Sequence, residues 1–230
     1  MGAGTVINLH AHTTFSDGLF SPEQIVGRAA ADGLTHIAIT DHFETAKVSS
    51  LRIRDLDRYL SSISTLKAKY EGTIAVLAGI EIDTNSNRSG VADMPFEKLG
   101  DLDLVLFEYV NDPASGGMSL EEIDGILDHL TAPCGLAHAD IERCFRGIDP
   151  KDVARSLQSR GLFVELNTAL PYRRNGHAFY ELAVPMLRMF GGKVRLSIGT
   201  DVHRNLSEVS NVGAVYEFVR RAGLDDDLLF

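Results

Sequence analysis

Seven short apolar runs recur along the chain, and each stops at a residue able to bind a metal or to hydrogen-bond strongly. The runs lie at 6–10, 36–40, 73–80, 103–107, 134–138, 162–167 and 194–199. Their ends carry His10 and His12, then Asp41 and His42, Glu81, Glu108, His138 and Asp140, Asn167, and finally Asp201 with His203. Helical stretches separate the runs. Ser21, Ser119 and Asp149 are predicted N-caps, Pro22 and Pro150 suit first helical positions, and Gln24 and Glu122 complete capping boxes. Further helices are expected over about 52–70, over 176–190 with a kink at Pro185, and over 206–222, followed by a short solvated tail. Strands joined by crossover helices predict a parallel sheet. An open sheet holds its outer strands too far apart for all seven ends to share one site. A barrel gathers them on one face. The expected fold is therefore a TIM-like α/β barrel of seven parallel strands with outer helices, forming one domain over residues 1–230.

The spacing within the pairs adds a chemical constraint. His10 and His12 are two residues apart, as are Asp201 and His203, so on extended backbone each pair points one way. Imidazoles grouped with carboxylates suit Zn, Mn or Fe. Several carboxylates in one place are costly unless cations accompany them. The rest of the composition narrows the setting. A net charge of −10 argues against a long nucleic-acid strand as partner, because phosphates need compensating Lys and Arg. The two cysteines, Cys134 and Cys144, form no disulfide framework. No signal peptide and no apolar stretch of membrane-crossing length is visible, so a reduced cytoplasmic setting is expected.

Five motifs in order resemble the polymerase and histidinol phosphatase (PHP) family. They are His-Ala-His-Thr with Ser-Asp-Gly (His10 to Gly18), Thr-Asp-His (Thr40 to His42), Gly-Ile-Glu (Gly79 to Glu81), Ala-His-Ala-Asp (Ala137 to Asp140) and Gly-Thr-Asp-Val-His (Gly199 to His203). The resemblance implies a distorted (β/α)7 barrel holding two or three divalent metal ions and hydrolysing phosphate esters. It implies that His10, His12, Glu81 and Asp201 hold one metal and that Glu81 bridges to a second with His138. It matches Asp17, His42 and His203 to a third position. One departure is local. Many members carry a histidine after the fourth strand, where this chain has Glu108. Glu108 is expected to take that histidine's place as a ligand.

The expected reaction is metal-assisted hydrolysis of a small phosphate ester, most simply a phosphomonoester. Glu81 would bridge the metals that activate water, and Asp17, His42 or His203 would serve the leaving oxygen. Arg143, Arg146, Arg173, Arg174 and Arg204 follow strands five to seven on the same face, and a guanidinium grips phosphate bidentately. Of these, Arg143, Arg173, Arg174 and Arg204 are expected at the substrate, with His177 on the loop beyond strand six. The alternatives are an exonuclease or nucleotide phosphodiesterase, an amidohydrolase-type barrel, and a module that binds metal without turnover. Each ligand also has a plainer reading, as a buried histidine with a hydrogen-bond partner or a carboxylate shaping a turn.

Overall fold

In the computed structural model, which describes residues 4–91 and 94–230, the apolar runs become the staves of one parallel sheet. The strands are β1 (Ile7–Asn8), β2 (His36–Ile39), β3 (His42–Phe43), β4 (Ala75–Asp83), β5 (Leu104–Glu108), β6 (Cys134–Leu136) and β7 (Phe163–Asn167). A small hairpin of β8 (Arg173–Arg174) and β9 (His177–Ala178) precedes β10 (Leu196–Gly199). The hydrogen-bonded order is β1-β2-β4-β5-β6-β7-β10. Strand β3 pairs with β4 beyond the end of β2, so β2 and β3 make one interrupted stave. The remaining seam lies between the first and last staves. There Leu9 N donates to Ile198 O (2.7 Å), Asp201 N to His10 O (3.0 Å) and His12 N to Val202 O (3.1 Å). The seven staves thus form a nearly closed barrel, as the sequence predicts.

Asn8 explains how the seam is held. It is fully buried on β1. Its amide nitrogen donates to Thr200 Oγ1 and to Val209 O, both at 2.8 Å, and its Oδ1 accepts from Thr200 N and His10 N, both at 3.2 Å. A buried side-chain amide needs such partners, and here three of the four fix β1 against the residues after β10.

The helices follow their sequence signals. They are α1 (Pro22–Ala31), α2 (Leu56–Lys69), α3 (Leu120–Leu127), α4 (Ile141–Cys144), α5 (Pro150–Ser159), α6 (Phe179–Leu182), α7 (Val184–Phe190) and α8 (Gly213–Ala222). Ser21 and Ser119 make the expected capping boxes with Gln24 and Glu122, and Asp149 caps α5. Ile25, Val26 and Ala29 of α1, Tyr59 and Ile63 of α2, and Val153 and Leu157 of α5 are buried in one continuous apolar core. No helix among the described residues is long and apolar enough to cross a membrane.

Four expectations are corrected. Residues 176–178 are not helical: Asn175 and Gly176, with φ of 53° and 83°, form the two-residue turn of the β8–β9 hairpin, as Asn-Gly favours. The helix expected to run on to 190 is two, broken at Ala183, with Pro185 near the start of α7. The last helix begins only at Gly213, because a 3-10 turn over Leu206–Ser210, capped by Asn205, precedes it. The tail is not merely solvated. Leu228 bridges to Leu196, Leu229 N donates to Leu196 O (2.8 Å), and Asp227 accepts from Gly192 N (2.7 Å).

Tyr59 ties the helical layer to the staves that carry the site. Its fully buried hydroxyl donates to Ile39 O at 2.8 Å, with Gly79 O 2.6 Å away. Tyr59→Phe should cost about 1 kcal/mol of unfolding free energy by denaturant titration, the usual worth of one buried hydrogen bond. A variant as stable as the parent would show that water replaces the phenol.

Candidate metal centre

The stave ends converge as expected. His10 and His12 leave β1 on the same side, and their Nε2 atoms lie 3.0 Å apart. Glu81 of β4 stands opposite His42 of β3 in the sheet register. Glu108 ends β5, His138 follows β6, and Asp201 and His203 follow β10. Among the described residues, three sets of donor atoms each fall within 4.8 Å: His10, His12, Glu81 and Asp201; His12, Asp17, His42 and His203; and His42, Glu81 and Glu108. The first is the expected first ligand set. The second is the expected third position with His12 added. His138 stands outside the compact sets, although its Nε2 lies 2.9 Å from Glu81 Oε1.

The donors in the first set fit a cation. His10 Nε2 lies 3.4 Å from Glu81 Oε1 and 3.3 Å from Asp201 Oδ1, and His12 Nε2 lies 3.4 Å from Glu81 Oε2 and 2.8 Å from Asp201 Oδ1. Ligands about 2.1 Å from one ion sit roughly 3.0–3.4 Å from each other. Asp17 Oδ1, His42 Nδ1, Glu81 Oε2, Glu108 Oε1 and Asp201 Oδ1 are all buried and make no hydrogen bond within the protein. Orphaned buried acceptors are rare. Four carboxylate oxygens and an imidazole nitrogen left so around one volume are what a metal-binding site presents.

The surrounding residues fix these donors. Glu165, buried on β7, was not anticipated from the sequence. Its Oε1 lies 2.9 Å from His10 Nδ1, and its Oε2 accepts from His138 N at 2.6 Å. With Nδ1 donating to Glu165, His10 turns the lone pair of Nε2 toward the cluster. Gly199 makes room for this, since a Cβ there would collide with Glu165 Oε1 and with His10 Cβ. Asp41 anchors the loop that carries Asp17. It accepts from Thr13 N and Thr13 Oγ1, both at 2.7 Å, and from Ser16 Oγ at 2.5 Å. Tyr172 also went unanticipated. Its ring stacks on His138 with centroids 3.9 Å apart, and its hydroxyl donates to Asp201 Oδ2 at 2.6 Å. His138 and Asp201 have positive φ (32° and 48°), an unfavourable conformation for residues bearing a Cβ.

The charges are strongly coupled. Burial opposes ionisation of Glu81, but His10 and His42 hold its carboxyl well below the usual range. Burial likewise opposes ionisation of Asp201, and His10 and His12 outweigh it. Burial would lower His42, but Glu81 and Glu108 raise it to about 10. For His12, burial and the neighbouring His42 win, lowering it to about 4. Burial of Lys47 is outweighed by Glu108, 2.6 Å from its Nζ, which raises the ammonium above its ordinary value.

The substrate-side expectations fall in different places. Arg143 pairs with Asp112 at 2.5 Å, and Arg174 pairs with Asp140 and Glu142. Arg173 and Arg204 line a cavity of about 590 Å³ that also contains Asp201, His203 and Tyr180. His177 is exposed on β9, with Nδ1 3.8 Å from Glu181. Asn167 shapes its loop by accepting from Ala169 N at 2.9 Å. Burial pushes the Cys144 thiol up to about 12, which leaves it unreactive.

Two outcomes follow. Glu165→Gln should weaken divalent-metal affinity by roughly 10- to 100-fold in a competitive chelator titration; unchanged affinity would reduce Glu165 to a structural role. In metal-stripped protein, histidines that hold protons more tightly when folded stabilise fully below their unfolded value of 6.5. That stabilisation is lost as pH rises through the value of about 10 for His42. Thermal unfolding of the stripped chain should therefore move to lower temperature between pH 6.5 and 10, and a flat profile would contradict the coupling.

Comparison with known proteins bears on the fold and the family. Over 100 residues the chain is 32% identical to DNA polymerase/3'-5' exonuclease PolX of Bacillus subtilis, which covers 43% of this chain. The chain spans only 17% of that relative's length. An uncharacterized protein of Methanocaldococcus jannaschii is 26% identical over 226 residues, covering 94% of this chain and 88% of its own. The fold is similar to that of histidinol phosphate phosphatase from Lactococcus lactis, solved with zinc, L-histidinol and phosphate. The TM-score is 0.66 at 21% identity, over 98% of this chain and 95% of the other. The family model for the PHP domain matches residues 8–169. The chain belongs to the PHP domain family.

Proposed function

We propose that the chain hydrolyses a small phosphomonoester at the barrel mouth. The observation that carries this reading is the group of orphaned buried acceptors enclosed by donor sets of ligand spacing. His10, His12, Glu81 and Asp201 would hold one divalent ion, and His12, Asp17, His42 and His203 another. His138 adds a nitrogen beside Glu81. Divalent ions held there, whether Mn, Zn or Fe, supply charge to phosphoryl oxygens and make water a better nucleophile at neutral pH.

The residues themselves do the positioning. Glu81 reaches both donor sets' histidines, His10 through Oε1 and His42 through Oε2 at 2.9 Å, so it ties the parts of the cluster together. Asp17 Oδ1 lies 3.2 Å from His203 Nε2. Without an ion in that second set, this partly exposed pair can pass a proton to a departing alkoxide; an ion held there would serve the leaving oxygen instead. Arg173 and Arg204 give the neighbouring cavity positive charge for an anionic substrate. That cavity has the volume of a small-molecule site. The Lactococcus neighbour, crystallised with phosphate and an amino alcohol, supports a small phosphorylated substrate.

A second reading is exonucleolytic cleavage, which the Bacillus relative's name supports. The substrate panel separates the two. Protein stripped by chelator should release no phosphate, and Mn, Zn or Fe should restore release from phosphomonoesters. Faster turnover of a short oligonucleotide would favour the exonuclease. No metal-dependent release from any mono- or diester would defeat both.

A further inference from the structure

One cation enters the cluster from the protein itself. Lys47 follows β3, and its Nζ lies 2.6 Å from Oε2 of the fully buried Glu108. The other oxygen of Glu108 lies 3.2 Å from His42 Nδ1. The lysine is delivered by a fixed loop. Ala46 N donates to Arg88 O at 2.7 Å, and Lys47 N donates to Thr45 Oγ1 at 3.1 Å. Thr45 Oγ1 in turn donates to Asp83 Oδ2 at 3.2 Å, and Thr45 bridges to Ser89. The ammonium also lies 5.0 Å from the centre of the Tyr109 ring, and Arg88, paired with Asp83, sits 5.1 Å from the same ring. Backbone, hydroxyl and aromatic contacts therefore aim Lys47 at Glu108 independently of the ion pair.

The charge balance gives this arrangement a consequence. Glu81 and Glu108 are both fully buried, and with His42 they form a donor set within 4.8 Å. Two buried carboxylates so close require positive charge from somewhere. Glu81 is shared with the set containing His10, His12 and Asp201, so an ion there serves it. Glu108 belongs to no other set; His42 Nδ1 approaches one of its oxygens and the ammonium of Lys47 the other.

We propose that Lys47 is a built-in counter-cation that takes the place of a divalent ion at Glu108, so that Glu108 is held by the ammonium and is not a metal ligand. This rests on the reading of the barrel mouth as a metal centre. The chain then retains ions through its two histidine-rich sets, and Lys47 acts as a positioning residue that fixes how many ions the cluster accepts.

Metal content by mass spectrometry, after loading with Mn or Zn and gel filtration, tests this. Glu108→Gln should leave the number of bound ions unchanged. Lys47→Met should gain one further ion, because Glu108 then lacks its ammonium and offers its oxygens beside Glu81 and His42. The double variant removes both charges and should return to the parent's content, which keeps the test valid if the single lysine variant folds poorly. Loss of one ion in Glu108→Gln, or no gain in a folded Lys47→Met, would overturn the role of Lys47 while leaving the metal centre standing. A parent that retains no ion at all would overturn the metal centre and this inference with it.

Discussion

Buried carboxylates crowd one small volume at the mouth of the barrel, and their demand for positive charge organises what surrounds them. Glu81 and Glu108 are fully buried, and Asp201 lies against His10 and His12. Removing one such ion from water costs several kcal/mol. Imidazoles meet that cost in two incompatible ways. Protonated, they pair with the carboxylates; neutral, they coordinate a cation that pairs with them instead. The raised pKa of His42 and the orphaned oxygens around it describe these two ways of balancing one charge deficit. Binding of ions and stability of the barrel mouth are for that reason one equilibrium.

Convergence depends on closing the sheet. The residues of the first donor set come from β1, from β4 and from the turn after β10, and only the seam between first and last staves brings Asp201 to His12. Asn8 fastens that seam from inside the fold. Just past it the backbone turns into positive φ at Asp201, as it does at His138 after β6. Such residues cost of order 1–3 kcal/mol and persist where neighbours over-determine them. Tyr172 bonding Asp201, and Glu165 bonding the His138 amide, provide that constraint. The strain lies on donor residues and the restraints act on them, so the barrel's stability is traded locally for fixed ligand directions.

What could be read in the sequence follows from how local each signal is. His10, His12, His42, Glu81 and His203 are legible because each lies at or just past the end of an apolar run, and run ends of a barrel share one face; Asp17 enters only through the resemblance of its Ser-Asp-Gly motif. Helix starts were legible because capping boxes are four-residue patterns. The Asn175-Gly176 turn is just as local, but the helical periodicity after it masks it, so the helix expected from residue 176 covers part of the hairpin. Glu165 left a trace, a carboxylate within an apolar strand, yet its partner His10 is 155 residues away and no spacing connects them. Lys47 left none. Its meaning arises only when β3 and β5 flank β4 and bring its loop to Glu108.

The arginines show why a shared face is not a shared role. Four were expected at substrate because they follow neighbouring strands. Two are neutralised by carboxylates supplied nearby, Asp112 for Arg143, and Asp140 with Glu142 for Arg174. These pairs fasten the loops after β5, β6 and β7 to one another. Arg173 and Arg204 have no acidic partner within 4 Å among the described residues and border the cavity beside Asp201 and His203. Lys47 lies on the other flank, over β3 and β5. The proposed reaction thus acquires a direction. In that proposal a phosphoryl group at the donors would lie between an ammonium committed to Glu108 on one side and guanidinium groups without an acidic partner on the other. The proposed anionic substrate would be drawn toward the β7–β10 flank, where the cavity has room for the rest of the molecule.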